Sequence, residues 1–123
     1  MSEPLRKRML VLLRKPPHGS IFGQEALEAV LVAGAFEQDV TLLLMGDGVL
    51  NLLAGQQADL LEHRDLLTTF ASLKEYDVHH IVVQESALRQ RGLVATDLAM
   101  KVDVLDDQRI AKLIDAQDVV ISF

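Results

Sequence analysis

The amino-acid sequence predicts an α/β domain in which a parallel sheet lies between helical layers. Strand-like apolar segments alternate with segments of helical periodicity along the chain. Several of the strand-like segments are apolar throughout, as expected where both faces of a sheet are covered. Only 4% of the residues are aromatic while half are hydrophobic, so the shared core must be mainly aliphatic.

The first half of the chain is predicted to form a strand, a helix and a second strand. Residues 8–14 form a near-continuous apolar run, which Pro16-Pro17 ends because proline has no N–H to donate to a strand ladder. A helix is predicted over residues 23–36, where apolar residues recur at helical spacing. The second strand, residues 40–45, is closed by the turn residues 46–48.

After this turn, a short amphipathic piece over residues 49–53 leads into a loop over 54–57. The next helix is predicted from Leu66, Phe70 and Leu73, which are spaced at i, i+4 and i+7.

The second half continues the alternation. The third strand is predicted over residues 80–83, and a short helix over 86–90 is terminated by Gly92. A weaker fourth strand spans 102–105, and the chain closes with a fifth strand over 118–123.

Two adjacent carboxylates start the last predicted helix. Asp106 or Asp107 can cap a helix that carries Ile110, Leu113 and Ile114, because a carboxylate accepts from the free N–H groups of a first turn. This role accounts for both carboxylates, so we expect no acid–base pair there.

Length and hydropathy bound the domain organisation. The 123 residues are predicted to form one domain, 1–123, with about residues 1–7 as a frayed tail. No signal peptide is visible and no run approaches the ~20 apolar residues of a membrane span, so we expect a cytoplasmic protein. A mean hydropathy of +0.22 is high for so charged a chain and indicates a subunit interface.

The charge balance excludes one class of function. Eighteen acidic and twelve basic residues give a net charge of −6, which argues against direct, strong nucleic-acid binding. The chain also has no cysteine, so it can form neither a disulfide nor a thiolate metal ligand, and it has no thiol nucleophile.

Familiar site motifs are incomplete. The segment from Gly46 begins like G-x-G-x-x-G, but Asn51 stands at the third glycine position, so a tight turn is predicted rather than a nucleotide site.

The histidines do not form a recognisable metal site. His79 and His80 point to opposite faces of an extended chain and cannot share one metal. His18, in the first strand-to-helix loop, is interpreted as a loop or interface hydrogen-bonding residue.

A family resemblance rests on the order and spacing of eight short segments that extend along nearly the whole chain. They are residues 17–19, 23–27, 46–49, 52–56, 64–65, 76–78, 86–93 and 118–123. Together they resemble the DsrE/DsrF/DsrH family, and within it the TusC/DsrF branch. The resemblance implies a three-layer α/β/α fold with a five-stranded parallel sheet, and no cofactor.

The resemblance also implies partners and a role. It places the chain in a cytoplasmic hetero-oligomer with homologous TusB-type and TusD-type (DsrH- and DsrE-type) subunits. That complex passes persulfide sulfur towards 2-thiolation of wobble uridine in tRNA, and a downstream sulfur carrier docks on it. A cysteine just after the third strand carries the sulfur in the TusD-type sister. The matching residues here, 82–86, hold no thiol, so no catalytic residue is carried over.

A small set of loop residues remains as candidate interface or loop contacts. They are His18, Gly19, Asp47, Gln84 and Arg89. Two alternative functions stay open: a DsrF-type subunit of a sulfur-oxidation DsrEFH complex, and a stand-alone domain that binds a small molecule at loops 16–22 and 46–49.

Overall fold

The architecture is given by a computed structural model that describes residues 6–17, 21–54, 69–76, 78 and 80–123. Five strands form one sheet in which every neighbouring pair is parallel. They are β1 (Arg8–Leu13), β2 (Asp39–Leu44), β3 (His80–Gln84), β4 (Asp103–Leu105) and β5 (Val119–Ser122). The order across the sheet is β4-β3-β2-β1-β5. The predicted α/β fold with a five-stranded parallel sheet is therefore confirmed.

Helices and 3₁₀ turns connect the strands. The α-helices are α1 (Phe22–Ala35), α2 (Glu85–Gln90) and α3 (Asp107–Asp115). The 3₁₀ helices are η1 (Gly46–Leu52), η2 (Leu73–Tyr76) and η3 (Ala95–Asp97). The predicted amphipathic piece after β2 is thus part of η1.

The helix predicted from Leu66, Phe70 and Leu73 is described only in part. Leu66 lies outside the described residues, but Phe70 and Leu73 are fully buried. Residues 69–71 are helical and lead into η2. The buried Phe70 is therefore an aromatic member of a core that is otherwise mainly aliphatic.

The sheet separates two hydrophobic clusters, because side chains along a strand alternate between its faces. The larger cluster joins α1, η1 and α2 to one face and contains Val11, Leu42 and Val83. The smaller cluster lies on the opposite face and consists of Leu10, Leu12, Leu43, Val82 and Ile110 of α3. Helices on both faces explain why these strands are apolar throughout.

Helix ends follow the local signals in the sequence. Asp106 is the N-cap of α3, where its Oδ1 accepts a hydrogen bond from the backbone N–H of Arg109 at 2.8 Å. Gly92 follows α2 with a φ of +67°, a left-handed conformation that glycine adopts at low cost. Among the described residues, no helix has the length and apolar composition needed to cross a membrane.

The turn after β2 needs glycine at two positions for different reasons. Gly46 has a φ of +53°, and an added Cβ there would meet nothing within 4 Å. Gly48 lies against the end of β1, where a Cβ would overlap the carbonyl oxygen of Leu13 and approach its carbon at 2.8 Å. The predicted tight turn is confirmed, and Gly48 permits it by letting two backbone segments touch.

We expect Gly48→Ala to lower the free energy of unfolding by about 3 kcal/mol, because the new methyl group must displace backbone. Gly46→Ala is the matched control in the same turn, and its left-handed φ should cost only about 1 kcal/mol. Urea unfolding followed by circular dichroism measures both. Equal losses for the two variants would contradict the close approach as the cause.

Candidate functional site

The loops that follow β1 to β4 meet at one side of the sheet, here called the carboxyl edge. In open parallel sheets this is the side where ligands and partners usually bind. Three sets of polar contacts join the loops to one another in this protein. The carboxyl edge is therefore the candidate functional site.

Gln84, the last residue of β3, connects three segments. Its side-chain Oε1 accepts a hydrogen bond from the backbone N–H of Gly46 at 3.0 Å. Its Nε2 donates to Oδ1 of Asp107 at 3.0 Å, and the hydroxyl of Ser86 donates to the same oxygen at 2.9 Å. The start of α3 is thus tied to the β3–α2 junction and, through Gln84, to the turn after β2.

These bonds act on the ionisation of Asp107. The hydrogen bond from Gln84, then that from Ser86, and the positive charge of Arg89 lower the pKa of the Asp107 carboxyl, and partial desolvation opposes them. Hydrogen bonds of this kind stabilise the ionised form. Asp107 is therefore a carboxylate held as an acceptor near neutral pH.

A salt bridge forms the second contact. Arg91 donates from Nη2 and Nε to one carboxylate oxygen of Asp47, at 2.7 Å and 3.2 Å. Its Nη1 also donates to the backbone carbonyl of Ala87 at 3.0 Å. Because the Arg91 side chain is only 25% exposed, this pair fixes the end of α2 against η1 more firmly than a surface pair would.

Asn51 makes the third contact from inside the fold. Its side chain is fully buried, and Nδ2 donates to the carbonyl of Lys15 at 2.8 Å and to that of Gly48 at 2.9 Å. Among the described atoms, its Oδ1 has no hydrogen-bond partner. Asn51 thereby joins the loop after β1 to η1, because both protons of its amide go to backbone carbonyls.

Three of the five predicted contact residues are described, and all three lie at the carboxyl edge. Asp47 and Gln84 bond to other segments, as given above, and Arg89 pairs with Glu85 one helical turn away at 3.3 Å. His18 and Gly19 lie outside the described residues. A role for any of the five in contacting a partner stays a prediction.

The residues that organise this edge are not among the site residues that the sequence predicts. Asp107 is predicted only as part of a helix start, whereas Asp106 is the N-cap and Asp107 accepts bonds from the β3–α2 junction. Asn51 is predicted only as a departure from the glycine motif. The available signal was a lone amide inside the apolar run 49–53, a pattern typical of a buried polar residue with backbone partners.

Of the two adjacent histidines, the structure describes His80. His80 lies on β3 with its Nε2 3.8 Å from Oδ1 of Asp39, and both side chains are well exposed. His79 is outside the described residues. Within the described part of the chain, no three His, Asp or Glu side chains converge as a group that could hold a metal ion.

The described hydroxyl and glycine N–H groups of the edge make hydrogen bonds within the fold. Ser86 directs its hydroxyl proton to Asp107, but a carboxylate with a lowered pKa is a weak base and does not activate a serine. The glycine amides of Gly46 and Gly48 donate to Gln84 and to the carbonyl of Met45. The described polar groups of the edge are thus engaged in hydrogen bonds within the fold.

We expect Asn51→Ala to lower the free energy of unfolding by about 2 kcal/mol, because two carbonyls lose their donor inside the fold. Asn51→Asp should cost more, since a carboxylate would then face those carbonyls. Gln24→Ala, an exposed amide on α1, is the control and should stay within about 0.5 kcal/mol of the wild type. Guanidinium unfolding measures these losses. If Asn51→Ala lost no more free energy of unfolding than Gln24→Ala, the structural role of Asn51 would be contradicted.

The Asp107 network predicts a pH dependence of stability. Because the folded pKa lies below the ordinary aspartate value of about 3.9, Asp107 stabilises the fold above that value. This contribution is lost as the pH falls through the folded pKa. Asp107→Asn should remove it, and Gln84→Leu should raise the pKa of Asp107. A carbon-13 NMR titration measures the midpoint, and a value at or above the ordinary one in the wild type would contradict the network.

Comparisons with known proteins show which family the chain resembles. Residues 7–123 match the DsrE/DsrF-like family. The chain is 37% identical to "Intracellular sulfur oxidation protein DsrF" of Allochromatium vinosum, with all of both chains covered. It is 34% identical to "Protein TusC homolog" of Pseudomonas aeruginosa, covering 96% of this chain and 99% of that one. A TusC homolog of Vibrio vulnificus is 33% identical over 94% of this chain and 98% of its own length.

A solved structure supports the same fold. The crystal structure of the ychN protein from E. coli superposes with a TM-score of 0.76 and covers 97% of this chain and 100% of that chain. The two sequences are 22% identical, so the likeness concerns the fold alone. The match over residues 7–123, together with relatives above 30% identity along nearly the full length, shows that this chain belongs to the DsrE/DsrF-like family.

Proposed function

We propose that the protein is a non-catalytic subunit of a hetero-oligomeric sulfur-relay complex. In this proposal, homologous TusB-type and TusD-type subunits complete the complex, which passes persulfide sulfur for 2-thiolation of wobble uridine in tRNA. A downstream sulfur carrier docks on the assembly. The setting is the cytoplasm, and the tRNA itself does not bind strongly to this acidic chain.

One observation carries the proposal: the chain has no cysteine, and the position after β3 is occupied by a structural network. Sulfur relay needs an acceptor thiolate that attacks the outer sulfur of a donor persulfide, so that the donor leaves as a thiolate. Gln84 and Ser86 cannot perform this step, and both are bonded to Asp107. The subunit's contribution is then non-covalent.

The carboxyl edge is suited to such a role. The Asp47–Arg91 pair, the Gln84–Asp107 bond and the Asn51 bonds hold four loops in a fixed relation. A surface whose polar groups are already positioned loses little conformational freedom when a partner binds. In our proposal this edge shapes the reactive cysteine pocket of a sister subunit or presents the docking surface for the next carrier.

A sulfur-oxidation complex is the second candidate. The similarity to DsrF of A. vinosum, at 37% identity over both whole chains, favours it as much as the TusC homologs favour tRNA thiolation. Both candidates use a subunit of this kind in a sulfur-carrying assembly. The stand-alone small-molecule domain is less favoured, because the Gly46 and Gly48 amides that would line its loop already have internal acceptors.

The relay proposal predicts where sulfur travels. When the assembled complex is incubated with a cysteine desulfurase and radiolabelled cysteine, the TusD-type subunit should carry the label, while this chain stays unlabelled on a non-reducing gel. The physical reason is the lack of any acceptor thiol in this chain. Label on this chain that survives denaturation but not reduction would contradict the proposal.

Deletion of the gene separates the two sulfur functions. Loss of this subunit should reduce 2-thiouridine at the tRNA wobble position, as measured by mass spectrometry of digested tRNA. Complementation with the wild-type gene is the control and should restore it. Normal thiolation in the deletion strain would exclude the tRNA relay and leave sulfur oxidation as the assignment to test, by following the oxidation of stored sulfur.

A further inference from the structure

The outward side of α1 carries apolar side chains that the fold does not use. Ile21, Phe22, Val32 and Phe36 are exposed by 65%, 39%, 57% and 72%. Together they present on the order of 400 Å² of apolar surface, in two groups at the two ends of the helix. We call these four residues, with Glu25 and Glu28 between them, the α1 outer face.

This patch is separate from the core side of the helix. The residues that α1 buries against the sheet are Gly23, Ala26, Leu27, Val30 and Ala33. Ile21, Val32 and Phe36 follow one another at helical spacing on the opposite side. The outer side of the helix thus carries apolar groups at both ends, and packing against the sheet does not explain them.

The charged side chains of the described stretch 21–39 have a single sign. Residues 21–39 contain Glu25, Glu28, Glu37 and Asp39 and no lysine or arginine. The neighbouring η2 adds Lys74 and Glu75, whose charges cancel. Two exposed apolar groups with carboxylates between them are complementary to a partner that supplies positive charge there.

The same charges disfavour a second copy as the natural occupant. In a two-fold pairing of α1 with α1, each patch meets itself, so the Glu25 and Glu28 carboxylates of one copy would lie opposite those of the other. Like charges brought together at an interface are unfavourable. The α1 outer face is therefore self-repelling at neutral pH.

We propose that the α1 outer face is the docking surface for a partner protein of different sequence. The partner presents lysine or arginine side chains opposite Glu25 and Glu28, between two apolar groups that contact Ile21–Phe22 and Val32–Phe36. With a rise of 1.5 Å per residue, these two contact points lie roughly 16 to 22 Å apart along the helix. The inference rests on the proposed function, because it identifies this partner with another subunit of the complex.

The area is consistent with part of a stable interface. A standard protein–protein interface removes ~800 Å² from each partner, so the α1 outer face supplies about half of one. Aromatic residues such as Phe22 and Phe36 are typical of the energetically dominant centre of an interface. The remaining contact area must come from neighbouring surface of the same protomer.

The test is binding between the full chain and the co-expressed TusB-type and TusD-type subunits of the same genome, measured by co-purification and by titration calorimetry. The double variant Val32→Ser/Phe36→Ser should weaken binding at least tenfold. Glu28→Lys should weaken it several-fold, and exchange of the facing basic residue of the partner for glutamate should restore it. Circular dichroism verifies that the variants, altered at exposed positions, stay folded.

Matched controls lie on other surfaces. Val94→Ser removes a side chain that is 60% exposed, and Asp115→Lys reverses an exposed charge at the end of α3. Both controls should bind the partners within twofold of the wild type. A loss as large as that of the α1 variants would overturn the assignment of the surface.

The other outcomes separate this inference from the proposed function. If the wild type binds its partners and the α1 variants bind equally well, the docking surface is refuted while the relay function stands. If the wild type binds neither subunit, the proposed function fails and the inference with it. A defined homodimer at neutral pH that Val32→Ser/Phe36→Ser dissociates in sedimentation would show that a second copy is the occupant, and this too would overturn the inference.

Discussion

The close approach of Gly48 to the end of β1 is the constraint on which the carboxyl edge depends. Because Gly48 has no side chain, η1 can lie against the backbone of Leu13, and the N–H of Met45 donates to the Leu13 carbonyl at 3.1 Å. This contact brings Asn51 within reach of the Lys15 carbonyl. The same turn directs the Gly46 N–H to Gln84. One missing methyl group therefore positions the loops after three strands.

The edge that results is polar, and several of its described side chains bond to one another. Ser86 donates to Asp107, and Asp47 accepts from Arg91. Such bonds add rigidity and specificity of shape, and a lowered pKa keeps Asp107 an acceptor. This arrangement agrees with the non-covalent role that we propose for a chain without cysteine.

The carboxyl edge and the α1 outer face differ in physical character. The carboxyl edge is held together by hydrogen bonds and an ion pair between loops. The α1 outer face has exposed aromatic and aliphatic groups and carboxylates of one sign. The mean hydropathy indicated surplus apolar surface, and α1 is where the structure places a large share of it.

The sequence by itself determined the kind and order of the elements, because apolar periodicity, prolines, glycines and capping carboxylates act over a few residues. The strand at Arg8–Leu13 and the turn at Gly46 could be predicted in this way. Only the tertiary structure decided that β5 pairs with β1 and that Asp107 meets Gln84. Those contacts join residues that are distant in the chain, and their partners follow from how the whole sheet packs, which no local pattern records.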